Sequence, residues 1–380
     1  MSWQTEKIGN LLARVKRAGK LQATQYQESG RFPVIDQGQS DIAGYSDDPE
    51  IVYSGPLPIV IFGDHTRRVK MVREPFICGA DGTQLLYPKN DDLDPVYFYY
   101  AVKNVDLSNY AYARHFKFLK DQELSYPDLP TQQRIASILS AYDDLIENNR
   151  RRTRLLEQAA RLLYREWFVH FRFPGHETAK LVDGLPEGWR RGTVGDLGDV
   201  ITGKTPSKAI SAHFGGLIPF IKTPDMHGKV FVLNSEETLT EQGAKTQAKK
   251  TIPAGSILVS CIGTVGVVSM TSVAAQFNQQ INAVVPARGV SNIYCYYTLQ
   301  SLKPRLEAIG GGATMSNVNK SKFEGLSISM ADLDLQAAFQ TTAQPIFDQV
   351  LSLMRQNAQL TRARDLLLPR LMDGRIPVSV

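Results

Sequence analysis

LPTQQRIASILSAYDDLIENNRRRTRLLEQAARLLYREWF, residues Leu129 to Phe168, runs without a proline or glycine after Pro130. Within it Ile135, Ile138, Tyr142, Leu145, Asn149, Arg152, Leu156, Ala159 and Leu163 recur at alternating steps of three and four. That spacing is the seam of a helix that packs on another helix. Pro130 suits a first turn, and Thr131 is a candidate cap. At ~1.5 Å per residue the helix is on the order of 50 to 57 Å long, more than one small domain can cover. It requires a partner.

The partner lies near the end of the chain. FQTTAQPIFDQVLSLMRQNAQLTRARDLLLPRLM, Phe339 to Met372, carries a seam of Phe339, Ala343, Ile346, Val350, Leu353, Asn357, Leu360, Arg364, Leu367 and Leu371. An offset of 208 lays Asn357 on Asn149, Val350 on Tyr142 and Leu353 on Leu145. Each helix then has an asparagine at the same step. Buried in a seam, such a residue sets register; at the seam edge it is an ordinary polar residue. Both readings stand at this point.

The segments before the helices resemble one another. In residues 1–128, β-rich runs (Phe32–Ile35, Pro58–Phe62, Val69–Val72, Phe76–Cys78, Gln84–Tyr87) alternate with turns, and a helical run covers about Pro95 to Val105. In 189–330 the runs are Ile218–Lys222, Ser256–Cys261, Val265–Ser269 and Ile281–Val285, with a helical run near Ile293 to Ile309. Landmarks recur in order: Pro33-Val34-Ile35 with Pro219-Phe220-Ile221, Gly55 with Gly255, Gly63 with Gly263, Pro88 with Pro286, and Leu124-Ser125-Tyr126-Pro127 with Leu326-Ser327-Ile328-Ser329. Common order in both halves indicates an internal duplication.

The expected fold is therefore mixed α/β (α+β). Two similar globular domains, 1–128 and 189–330, are separated by two long helices, 129–170 and 331–374. The helices form an antiparallel coiled coil with pseudo-two-fold symmetry. Asn149 and Asn357 are expected near the pseudo-dyad. Residues 171–188 (FRFPGHETAKLVDGLPEG) read as a linker and 375–380 as a tail.

Composition sets the class. The 380 residues are 43% hydrophobic, enough for sizeable cores, with a formal charge of +5, which is compatible with a nucleic-acid partner. Cys78, Cys261 and Cys295 are isolated, so neither a zinc site nor a disulfide framework is indicated, and a reduced cytoplasmic setting is expected. The run Ile257 to Met270 is too short and too interrupted to span a bilayer. The chain reads as soluble, with no signal-peptide pattern at its start.

No catalytic constellation is present. There is no GxxxxGK[ST] loop, no HExxH and no GxSxG elbow. His65, His115, His170, His176, His213 and His227 lack metal-ligand spacing, and no metal residue is assigned. Asp94-Pro95-Val96-Tyr97 touches on a methyltransferase motif but reads as a helix start. Gly310-Gly311-Gly312 reads as a flexible turn, and Asp64, Glu74 and Lys70 lack the spacing of a nuclease site. The candidate list of catalytic residues is empty.

The loops instead carry side chains suited to DNA. In the first region these are Gln37, Gln39, Arg67, Arg68, Lys70, Lys117 and Lys120. In the second they are Lys204, Thr205, Ser207 and Lys208 within ITGKTPSK, then Lys222, Thr223 and His227, then Gln279 and Gln280, then Asn317, Asn319, Lys320 and Lys322. Gln and Asn bond adenine bidentately, Arg and Lys bond guanine, and Lys also neutralises phosphate. Each one alone is also an ordinary solvated loop residue. The run Arg150-Arg151-Arg152 with Arg154 lies on the long helix and reads as a solvated or partner-facing surface.

This order of parts resembles the specificity subunits of type I restriction–modification systems. The stretch Leu129–Phe168 looks like that family's central conserved region, and RARDLLLPRLMDGRI, Arg362 to Ile376, like its C-terminal conserved region. ITGKTPSK and GATMSNVNKSKFEGLSIS (Gly312 to Ser329) look like the opening and closing segments of a target recognition domain. The resemblance implies two target recognition domains, each reading one half of an asymmetric bipartite double-stranded DNA sequence. It implies helices that set the spacer and dock two methyltransferase subunits bringing S-adenosylmethionine for adenine N6 methylation. Restriction subunits would add ATP- and Mg-dependent cleavage, leaving this chain without a cofactor of its own. The exposed helix faces, with Asp143-Asp144 and the basic stretch from Arg150, are the expected docking surface. The alternatives are a specificity module of another methyltransferase-based defence system, a stand-alone methyltransferase or nuclease, and a scaffold that does not bind DNA.

Overall fold

The computed structural model describes residues 3–16, 19–79, 81–109, 114–311 and 317–378. Both long helices are single elements, Leu129–Phe168 and Leu333–Met372, each of 40 residues. The second continues through Pro345 and Pro369. The chain divides into two compact units, Met1–Glu147 with Gln359–Val380, and Asn148–Ala358. The division falls inside both helices, so each globular domain packs with its own segment of the helix pair.

In the first unit Ile135, Ala136 and Leu139 share a buried core with Leu368, Leu371 and Met372. There the Arg364 guanidinium donates to the Asp143 carboxylate. In the second unit Ala160, Tyr164, Trp167 and Phe168 share a core with Phe339, Ala343, Phe347 and Val350. Numbers rise along one helix as they fall along the other, so the helices pair antiparallel. Asn149 is 1% exposed, and its Nδ2 donates to Gln356 Oε1 at 3.5 Å, one residue from Asn357. Asn149 is thus a buried seam residue.

The seam of the first helix differs from its expected course. Leu145 is 44% exposed while Ile146 is buried, and Ala160 and Tyr164 are buried in place of Ala159 and Leu163. The reason is a second contact surface. Tyr164 packs on Tyr294 and Tyr297 of the globular domain as well as on Phe339. A helix that buries a face against both a partner helix and a domain is wider-striped than a coiled-coil seam. Ile138, Tyr142 and Leu156 are half-buried, as are Ile346, Asn357 and Leu360 of the second helix, whereas Val350 and Leu353 are buried.

The duplication is visible strand by strand. Gln4–Lys7 pairs with Glu123–Tyr126, joining Gln4 to Tyr126, and Arg190–Thr193 pairs with Ser327–Met330, joining Arg190 to Met330. Phe32–Ile35 runs parallel to Ile77–Gly79 as Phe214–Ile221 runs parallel to Gln276–Phe277, with Val34 opposite Ile77 and Phe220 opposite Gln276. The central strands IVIFG (Ile59–Gly63) and ILVS (Ile257–Ser260) are buried at every position, each between two antiparallel neighbours. Such unbroken apolar runs suit strands covered on both faces.

These pairings correct the landmark alignment. Pro33-Val34-Ile35 and Pro88 match their partners as expected. Gly63 matches Ser260 rather than Gly263. Tyr97 donates its hydroxyl to Ser125 O and Tyr294 to Ser329 O, so Ser125 matches Ser329, two residues beyond the sequence match. The expected linker is folded too: Leu181–Val182 pairs with Leu185–Pro186, and Phe171 and Phe173 pack on Trp189 at 5.2 and 6.3 Å.

Each long helix starts on the same device. Asp128 Oδ1 accepts from Thr131 N at 3.0 Å, and Asp332 Oδ1 from Leu335 N at 2.7 Å. The cap of the first helix is therefore Asp128, and Thr131 is buried. Gln132 and Gln336 are both 0% exposed. Gln132 accepts from Asp94 N and donates to Asp92 O and Pro127 O; Gln336 accepts from Ser291 N and donates to Ala331 O. Asp94 and Ser291 in turn cap the tyrosine-bearing helices Pro95–Lys103 and Asn292–Ser301. The true helix offset is thus 204, and Asn149 corresponds to Leu353.

Candidate nucleic-acid interface

In the first unit three loops meet at one end of the strands. They are the segment after Phe32–Ile35, the turn Asp64–Arg68 between Ile59–Gly63 and Val69–Val72, and the turn after Ile77–Gly79. Gln37 pins them together. Its Nε2 donates to Asp81 O at 2.9 Å, its Oε1 accepts from His65 N at 3.1 Å, and its carbonyl accepts from Thr66 Oγ1 at 2.5 Å. The Gln37 amide is thus hydrogen-bonded within the protein through both its nitrogen and its oxygen. Gln39 and Arg68 are exposed, with Arg68 3.7 Å from the Asp41 carboxylate. Arg67 is exposed overall and anchors Nη1 on Leu107 O at 2.8 Å.

Lys70 is a correction. It is 5% exposed, and its ammonium donates to Asp36 O at 2.7 Å and Ser40 O at 2.5 Å. Burial pushes its pKa down, against the opposing pull of Asp36. At the matching place in the second unit, Ser269 Oγ donates to Lys229 O at 2.7 Å. Both repeats use this strand position to tie down the loop that follows the parallel strand. Lys70→Met is expected to lower stability by about 2 kcal/mol, since it strips a charged donor from two carbonyls. Thermal unfolding checks this. Unchanged stability with a shallower salt dependence of DNA binding would instead make Lys70 a phosphate contact.

Asp64 joins the fourth piece. Its carbonyl accepts from His115 N at 2.9 Å and its Oδ1 from Phe116 N at 2.8 Å, anchoring the helix His115–Asp121 that carries exposed Lys117 and Lys120. Asp64 is thus a structural cap, and Asp94 Oδ1 likewise accepts from Val96 N and Tyr97 N.

The second unit builds the same junction. Asp64 N donates to Gly82 O as Cys261 N donates to Gln280 O, and Cys261 O accepts from Val318 N as Asp64 O accepts from His115 N. Gln279, Asn317, Lys320 and Lys322 are exposed around this point. Asn319 Oδ1 accepts from Lys322 N, so it caps the helix Lys320–Glu324, and Lys320 lies 3.2 Å from Glu324. Gln280 is half-buried, and its Oε1 accepts from Asn278 Nδ2.

The ITGKTPSK loop is held against the same turn. Lys204 N donates to Phe277 O at 3.0 Å, and Thr205 Oγ1 to Gln279 Oε1 at 2.7 Å. Only glycine fits at 203, because a Cβ would stand 2.1 Å from Asn278 O. Lys204, Ser207 and Lys208 are exposed. Lys208 and Lys222 converge on Glu237 at 3.2 and 2.5 Å, and the hydrogen bond from Lys222 holds that carboxyl below its ordinary range. Thr223 is buried, while His227 is exposed. Thr223 and Lys222 therefore serve the loop's own packing. Gly312 to Ser316, part of the expected closing segment and of the glycine turn, lies outside the described residues.

Sequence reasoning missed Lys245, Lys249 and Lys250. Gln247 Nε2 donates to Lys204 O at 2.7 Å, which brings their segment beside the ITGKTPSK loop. The lysine spacing of AKTQAKK was the available signal. Among the described residues, no group of three or more His, Cys, Asp or Glu side chains is placed to hold a metal, and no helix is long and apolar enough to cross a membrane.

A chain that repeats one loop junction on two copies of a mixed α/β domain, each backed by part of an antiparallel helix pair, is a duplicated recognition scaffold. The profile of the type I restriction modification DNA specificity domain matches residues 2–158 and 186–360, and the chain belongs to that family as a type I specificity subunit. It is similar to the type I restriction enzyme HindI specificity subunit of Haemophilus influenzae, 36% identical over 323 residues, covering 69% of this chain and 70% of that protein. The MjaIX specificity subunit of Methanocaldococcus jannaschii is 27% identical over 317 residues, covering 78% and 72%. The crystal structure of the type I S subunit from M. genitalium shares the fold, with a TM-score of 0.60 at 15% identity over 100% of this chain and 97% of that one.

Proposed function

We propose that the globular domains 1–128 and 189–330 are target recognition domains, each reading one half of an asymmetric two-part DNA sequence. The observation that carries this is the repeated junction of loops, edged in both copies by exposed amide and cationic side chains. Cations position the backbone, and amides and guanidinium groups read base edges in the major groove. Gln39, Arg68, Lys117 and Lys120 serve the first half-site; Lys204, Gln279, Asn317 and Lys322 serve the second.

In this reading the helices hold the readers at a set separation and dock two methyltransferase subunits. S-adenosylmethionine, and the ATP and Mg used by restriction subunits, belong to those partners, and this chain is not itself an enzyme. Asp144 and the run Arg150 to Arg152 with Arg154 are exposed on the helix surface, and Asp143 is engaged by Arg364 and Tyr100. Methylome sequencing of the source organism with and without the gene tests the proposal. Loss of one bipartite adenine-methylated motif is expected. An unchanged methylome overturns it.

A further inference from the structure

The two recognition domains differ in charge at one matching place. In the first, the segment between Gly44–Ser46 and the bridge from Val52 to Ile77 is short and holds Asp47, Asp48 and Glu50, all exposed. In the second, the segment between Glu237–Leu239 and the bridge from Ile252 to Ala275 is longer. It forms a helix, Glu241–Lys245, and a 3-10 turn, Ala248–Lys250. It holds Lys245, Lys249 and Lys250 against a single acid, Glu241.

Two buried amides sew the lysine segment in place. Gln247 is 7% exposed and Gln276 0%. Gln247 Nε2 donates to Lys204 O and to Gln276 Oε1, while Gln276 Nε2 donates to Ala244 O at 2.9 Å and Thr251 Oγ1 at 2.8 Å. The lysines are thereby held beside Lys204, whose own N–H is fixed to Phe277 O two residues before Gln279. We infer that the segment Thr240–Thr251 is a phosphate grip added to the second recognition domain and absent from the first. The inference rests on the proposed function.

The charge difference between repeats argues for DNA over an acidic protein surface. Two copies of one partner subunit docking at matching places would need the same charge in both repeats. DNA makes no such demand, because its phosphates continue past either half-site. Anchoring is then uneven: the second domain supplies sequence-independent affinity, and the first relies more on its base contacts.

The test uses the full chain assembled with its methyltransferase subunits, binding duplex DNA over a range of salt. Lys249→Ala with Lys250→Ala is expected to lower the log–log salt slope by about 1.8 and to weaken binding some tens-fold at 0.1 M salt, for target and unrelated DNA alike. The methylated motif should stay the same. Lys249→Gln with Lys250→Gln should repeat the result if the alanine pair folds poorly. An unchanged slope in a normally folded complex overturns the inference. So does loss of a partner subunit at unchanged slope, which would make the patch a protein-docking surface. A wild-type complex that does not prefer its target over unrelated DNA overturns the function proposal and, with it, this inference.

Discussion

Inserting seven residues into each long helix, after Glu147 and after Ala358, is expected to lengthen the spacer of the methylated sequence by about three base pairs and leave both half-sites unchanged. A heptad adds ~10.5 Å of helix, and DNA rises ~3.4 Å per base pair. The insertion points fall between the two compact units, and Glu147, Asn148, Ala358 and Gln359 are all exposed. A heptad returns the helix faces to within ~20°, so the packing on either side keeps its partners. Methylome mapping of cells carrying the longer chain reads the outcome. An altered base within either half-site would show that the helices do more than separate the readers.

Replacing Gln132 with leucine is expected to destabilise the first unit by on the order of 3 kcal/mol or more, and Gln336→Leu to do the same in the second. Each glutamine has a fully buried amide that bonds backbone groups from separate segments: Asp94 N, Asp92 O and Pro127 O in one case, Ser291 N and Ala331 O in the other. Leucine has nearly the same volume and leaves those groups buried without partners, which costs about 1–3 kcal/mol per group. The helix start, the cap of the tyrosine helix and the preceding strand end loosen together. Urea unfolding of the two variants checks the claim. A loss below 1 kcal/mol in either would mean that water or rearrangement replaces the amide.

Much of this was legible in the residues. The two helices, the match of Pro33-Val34-Ile35 with Pro219-Phe220-Ile221, and the absence of known catalytic motifs follow from spacing and type alone. The register of the repeats did not. The sequence match placed Asn357 on Asn149, one helical turn from the true offset, and Ser327 on Ser125, two residues from it. Both errors equal one period of the local structure. An apolar pattern identifies a face, but sliding it by a whole period leaves it unchanged. Only hydrogen bonds between distant segments, such as those of Gln132, Gln336, Tyr97 and Tyr294, select one register.

The loop candidates divided for a related reason. Gln37, Lys70 and Thr223 have the composition of DNA contacts, yet their side chains are buried or engaged within the protein. Gln39, Lys204 and Lys322 have the same composition and face outward. By itself the sequence determined that the chain is a duplicated domain with two long paired helices and polar, cationic loops, because periodicity and repetition are properties of one chain read in order. The tertiary structure decided which polar groups are already satisfied and where Lys245, Lys249 and Lys250 lie, because a hydrogen bond or a shared surface joins residues that sequence distance keeps apart.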